Sequence, residues 1–72
     1  MASRIQGTIT VTNSQPSEIV LSLEPWADEH LIGAGKTVLV HFDGPDKVSL
    51  EIVTQPGKIV LSGWEGSVLT VR

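Results

Sequence analysis

The chain has no cysteine, no tyrosine, a single phenylalanine and no uninterrupted aliphatic run longer than about three residues. Each shortage closes off a class of protein. Without thiols there is no disulfide staple and no cysteine-ligated zinc site, and nothing in the composition asks for an oxidising compartment. Without about 18 consecutive apolar residues there is no candidate membrane helix, so no membrane partner is expected. Met1-Ala2-Ser3-Arg4 leads straight into alternating apolar and polar residues, not into the basic start and apolar stretch of an export signal. The expected location is therefore cytoplasmic. The five basic residues (Arg4, Lys36, Lys47, Lys58, Arg72) are scattered and outnumbered by eight acids, for a net charge of −3. Phosphate backbones are held by clustered positive charge and by aromatic platforms, so no nucleic acid partner is expected.

What is present is a rhythm. Apolar residues recur at every second position, the period of a strand and not of a helix. Ile5, Ile9 and Val11 mark one segment, Ile19, Leu21 and Leu23 a second, and Val38, Val40 and Phe42 a third. Val48, Leu50 and Ile52 mark a fourth, Ile59 and Leu61 a fifth, Leu69 and Val71 a last. Turn residues separate them, including Asn13 to Ser17, Gly33-Ala34-Gly35, Asp43 to Asp46, Gln55-Pro56-Gly57 and Gly63 to Gly66. The spacing predicts one all-β domain over residues 1–72, a compact antiparallel sandwich or small barrel of about six strands. Pro25 to Leu31 reads either as a short helical turn opened by proline or as a wide loop.

Two segments echo one another. Val11-Thr12, Gln15-Pro16 and Ile19-Val20-Leu21-Ser22 are matched by Val53-Thr54, Gln55-Pro56 and Ile59-Val60-Leu61-Ser62, with Trp26 and Trp64 following. The echo reads as a duplication that packs two hairpins as opposing layers, or as coincidence within the narrow vocabulary of short β sequences.

The densest polar group is Glu24-Pro25-Trp26-Ala27-Asp28-Glu29-His30. Carboxylates beside an imidazole can hold a divalent metal, and on an extended strand Asp28 and His30 project to the same side; Asp28, Glu29 and His30 are the candidate ligands. The competing reading is a solvated loop. Trp26 and Trp64, beside Asp28, Glu29 and Glu65, are the candidates for a carbohydrate or small-molecule surface. Against that, a chain this poor in aromatics needs its tryptophans to close a small core. His41 reads as an exposed strand residue. No serine sits in the elbow a nucleophile needs, and the glycines lie in turns and not in phosphate cradles, so neither enzymatic activity nor a cofactor is expected.

Val20, Leu39, Val60 and Val68 are apolar on the strand face opposite the core positions. A one-sided sheet keeps that face polar, so these four are the candidate interface residues. A core below about 70–80 residues rarely supplies more than about 3–5 kcal/mol, which also favours support from another chain. The leading expectation is a non-enzymatic, self-associating structural or protein-interaction module, most simply a homo-oligomer. The alternatives are a small-molecule or carbohydrate-binding domain and, last, a metal-dependent enzyme.

The stretch Ser22 to Glu29, with Gly35-Lys36-Thr37-Val38, Val40 to Pro45 and the late Gly63-Trp64-Glu65-Gly66-Ser67, resembles small uncharacterised bacterial proteins carrying a Glu-Pro-Trp-Gly-Asp-Glu type motif. The likeness spans about residues 18–67 and implies a β fold but no activity. Ala27 stands where such sequences tend to have glycine, and Ala34 where Pro-Gly is common.

Overall fold

The computed structural model describes residues 3–47 and 49–72, and every regular element in it is a strand. Seven strands run in the order β1 Arg4–Thr12, β2 Ile19–Glu24, β3 Asp28–Ile32, β4 Thr37–Pro45, β5 Glu51–Gln55, β6 Lys58–Ser62 and β7 Val68–Val71. They form a three-stranded sheet, β1-β4-β7, and a four-stranded sheet, β3-β2-β6-β5. The two are not closed into a barrel; they stack as an open sandwich. All pairings are antiparallel except β2 with β6, which run parallel with Leu21 beside Ile59 and Leu23 beside Leu61.

Alternation puts the apolar set of each strand on one face, and the two apolar faces meet. Val11, Val40 and Leu69 from the three-stranded sheet are buried with Ile19, Leu21, Leu23, Ile32 and Leu61 from the four-stranded sheet. Phe42, Ile9, Val38, Ile59 and Val71 flank them. In the fourth segment, Val48 lies outside the described residues, Leu50 packs against the core just before β5, and Ile52 is the second residue of β5. Ile52 pairs with Leu61 and so shares its inward face, yet it is 57% exposed where Leu61 is 1%. All five residues of β5 are exposed, so this strand extends past the cover of the opposing sheet.

The ambiguous stretch after β2 is neither helix nor wide loop. Pro25-Trp26-Ala27 makes a tight turn, with a cis bond between Glu24 and Pro25, into the strand β3 that pairs along β2 from Leu23 opposite Asp28 to Ile19 opposite Ile32. This strand is the seventh. It was hidden because Asp28 and Glu29 are residues strands avoid, and it forms because partnering β2 buries Ile32. The echoed segments also diverge. Pro56-Gly57 closes a two-residue hairpin between β5 and β6, whereas Gln15-Pro16 lies in a crossover from one sheet to the other. The two copies therefore do not make two opposing hairpins; their Ile-Val-Leu-Ser strands, β2 and β6, lie side by side in one sheet.

That crossover is held by one buried side chain. Asn13 Nδ2 donates to the carbonyls of Ser17, Ile32 and Gly33 at 2.8, 2.9 and 3.1 Å, and its Oδ1 accepts from Gln15 N at 2.9 Å. Its backbone adds Asn13 N to Lys36 O and Gly35 N to Asn13 O. The carboxamide thus ties the end of β1 to the crossover and to the end of β3, while the backbone of the same residue reaches the start of β4; removing the side chain strands several buried polar groups at once. Replacing Asn13 by Ala should lower the unfolding free energy by about 2–3 kcal/mol in urea denaturation, since a buried group left unpartnered costs about 1–3 kcal/mol; a loss under about 0.5 kcal/mol would contradict this role.

Candidate functional site

The strand period decides what the acidic cluster can do. Asp28 and His30 lie on the same side of β3, as the extended pattern requires, with His30 Nε2 and Asp28 Oδ2 2.9 Å apart. Glu29 points to the other face, where its carboxylate lies 3.5 Å from Lys58 Nζ on β6. The Asp28, Glu29 and His30 set is therefore split between the two faces of one strand. Among the described residues no group of three or more His, Asp or Glu side chains comes together in a metal-holding arrangement. His41 is half-buried on the outer face of the three-stranded sheet, between Thr8 and Thr70 of the flanking strands.

The tryptophans sit at one end of the sandwich with different duties. Trp64 is half-buried, edge-on to Phe42 with ring centroids 6.0 Å apart, and its indole Nε1 donates to the Pro45 carbonyl at 2.9 Å. Its main chain is fixed by Ser67, whose Oγ donates to Trp64 O at 2.6 Å and accepts from Trp64 N at 2.9 Å. The Gly63-Trp64-Glu65-Gly66-Ser67 motif is thus a turn that seats an indole over the end of the core, with Gly66 at φ +81°. Gly7 leaves room beneath this end: the Phe42 ring occupies the space a Cβ at Gly7 would need. Trp26 is 42% exposed and lies over Gly63, where an added Cβ would be 2.9 Å from its ring. Asp28 and Glu29 lie on opposite faces of β3 and so cannot both face either indole. Of the five candidate ligand contacts, Trp64 and Glu65 line an open hollow of about 540 Å³ with Pro45, Lys47, Ser49 and Gly66, which Trp26, Asp28 and Glu29 do not border.

In the Glu24-Pro25-Trp26-Ala27 turn, Ala27 takes an unusual backbone conformation. Its φ is +54°, the left-handed region that favours glycine. A groove of about 350 Å³ opens at the other end, lined by both Gln-Pro segments, with Gln15, Thr54, Gln55 and Lys58 at its walls and Ile19 and Ile59 at its base. Asn13 also borders it but has all its hydrogen-bonding atoms committed to backbone.

The four apolar outer-face residues divide by sheet. Leu39 and Val68 lie on the three-stranded sheet and are separated along β4 by His41, so they do not form a patch. Val20 and Val60 lie on the four-stranded sheet and are diagonal neighbours, Val20 beside Lys58 and Ser22 beside Val60. Two residues not foreseen extend them: Leu31 pairs with Val20, and Val53 with Val60. Leu31-Val20-Val60-Val53 is then a diagonal apolar stripe crossing all four strands, with Leu31 65% and Val53 38% exposed. Glu24, Glu29, Glu51 and Lys58 share that face and rim it. Leu31 was concealed by the unrecognised β3; Val53 was readable as the residue alternating with Ile52.

Comparison with protein-family models, curated proteins and solved structures finds no match, so the functional argument rests on the geometry. No helix among the described residues is long and apolar enough to cross a membrane.

Two outcomes test this description. Ala27→Gly should raise stability by about 0.5–1 kcal/mol, because alanine in the left-handed region costs more than the extra chain entropy of glycine; a loss of stability would refute the strained turn. Thermal unfolding should be unmoved by millimolar Zn²⁺, Mn²⁺ or Ni²⁺, and a rise of several degrees with any of them would show that Asp28 and His30 do assemble a site.

Proposed function

We propose that this protein is a non-enzymatic, self-associating β module of the cytoplasm that works by making protein contacts. The observation that carries the reading is the Leu31-Val20-Val60-Val53 stripe. An apolar band spanning a whole sheet and bordered by charged side chains is the form of a protein-contact surface, because water is removed from aliphatic groups in the middle while the rim stays solvated. The core supports the same reading, since eight buried aliphatic residues give a small domain little reserve and burial against a neighbour adds to it. A chain without cysteine suits a reducing compartment.

A catalytic reading has less to stand on. Its best pair, Asp28 with His30, lies at an edge strand with side chains 52% and 33% exposed, where solvent screens the pair and no wall surrounds a substrate.

Sedimentation across concentrations tests the proposal. The native chain should show a weight-average mass that climbs with concentration. The double variant Leu31→Thr, Val53→Thr keeps β propensity but removes aliphatic surface, and should have a lower mass wherever the native chain associates. A native chain that stays at monomer mass throughout, or a double variant that assembles as the native chain does, would overturn it.

A further inference from the structure

The backbone of β1 carries the longest unpaired edge in the fold. β1 is a nine-residue strand at the border of the three-stranded sheet, bonded on one side only to β4. In an antiparallel ladder, residues alternate between those that exchange both hydrogen bonds with the partner and those that point N–H and C=O away. Two bonds at opposite ends of β1 set which are which: Asn13 N donates to Lys36 O at 2.9 Å, and Asp46 N donates to Ser3 O at 3.1 Å. Both continue the β1-β4 register, so the odd-numbered residues face β4. The even-numbered residues, Arg4, Gln6, Thr8, Thr10 and Thr12, turn their amides and carbonyls outward.

The other edges are shorter or guarded. β7 has four residues; β5 has five and runs into Pro56; β3 has five, two of them acids. Edge strands are ordinarily protected by charge, proline or a bulge. From Ile5 to Thr12, β1 has none of these: no charged residue, no proline, and an unbroken nine-pair register with β4. Its one charge, Arg4, is occupied, with Nε and Nη2 each 3.1 Å from Asp43 Oδ1.

The sequence of this edge complements itself. Turned about a two-fold axis at Thr8, Thr8 meets Thr8 of a second copy, Gly7 meets Ile9, Gln6 meets Thr10, Ile5 meets Val11 and Arg4 meets Thr12. All nine residues pair, no like charges oppose one another, and the inward face continues with Ile5, Gly7, Ile9 and Val11 across the junction. Ile5 and Ile9, only half-buried at the margin of the sandwich, gain neighbours there. A two-fold contact of this kind closes on itself and does not propagate.

We propose that a second copy of this chain adds to β1 in antiparallel register centred on Thr8, making one continuous six-stranded sheet of order β7-β4-β1-β1-β4-β7. This adds a second self-association surface beside the stripe put forward above, and it rests on that reading. The outer faces of both four-stranded sheets, with their stripes, stay free in such a dimer.

The test is made in the Leu31→Thr, Val53→Thr chain, so that the stripe does not contribute. That chain should sediment as a dimer. Adding Thr8→Lys sets two ammonium groups against each other at the axis and should weaken the dimer at least about tenfold. Thr8→Pro removes an outward N–H that β4 does not use and should act likewise, while the β1-β4 ladder is kept. A cysteine variant reads the register independently in this thiol-free chain: Thr8→Cys should oxidise to a covalent dimer, since bonded antiparallel partners have Cα atoms about 5.5 Å apart. Gln6→Cys should not, because its mate lies four residues along the strand, roughly 13 Å away. If the stripe-free chain is a monomer while the native chain associates, or if both Thr8 variants dimerise unchanged and Thr8→Cys links no better than Gln6→Cys, the β1 edge is wrong and self-association stands. If the native chain never associates, both fall.

Discussion

The contact between the inner faces of the two sheets is what everything else in this molecule depends on. Leu21, Leu23, Ile32, Leu61 and Val40 are almost wholly removed from water, and Val11, Ile19 and Leu69 nearly so. Each side chain in this set reaches the core because its strand alternates, and each strand stays in register because a slip of one residue would turn the whole set to solvent. The parallel β2-β6 pairing lies at the centre of the four-stranded sheet, where Leu21 and Leu23 stand beside Ile59 and Leu61.

So thin a layer has ends and sides that must be managed, and the polar and aromatic residues are distributed accordingly. At one end Trp64 covers Phe42 and is anchored through its indole N–H, while Trp26 covers Gly63. At the other, Asn13 donates hydrogen bonds to the carbonyls of Ser17, Ile32 and Gly33, tying the crossover to the end of β3. The sides are less complete. Three strands against four leave β5 exposed on both faces, and β1 ends its sheet with an uncharged row of unpaired amides. Both the apolar stripe and the free edge follow from the same shortage of chain: there is not enough polypeptide in 72 residues to cover every strand twice.

Much of this architecture was legible in the sequence because it follows from periodicity. The alternation of Ile19, Leu21 and Leu23, or of Val38, Val40 and Phe42, dictates strand, face and core membership together, and the turn residues mark the breaks. Choosing a sandwich over a barrel needed the pairings themselves. β3 was not legible, because Asp28 and Glu29 argue against a strand and only the partnership with β2 overrides them. The Gln-Pro echo misled for a related reason: similar local sequence makes similar strands, but whether the chain then folds back or crosses to the other sheet is set by tertiary packing. For the candidate site, the alternation that correctly placed Asp28 beside His30 also removes Glu29 from them. Val20 and Val60 were visible as misplaced apolar residues; their union with Leu31 and Val53 needed the inter-strand register.

Residue-resolved amide hydrogen exchange at increasing protein concentration bears most directly on the claim that this module assembles through a free edge. The amides of Ile5, Gly7, Ile9 and Val11 should be protected at every concentration, and those of Gln6, Thr8 and Thr10 should pass from rapid exchange to protection as concentration rises. Rapid exchange of Gln6, Thr8 and Thr10 at all concentrations, with the odd-numbered amides protected throughout, would contradict it.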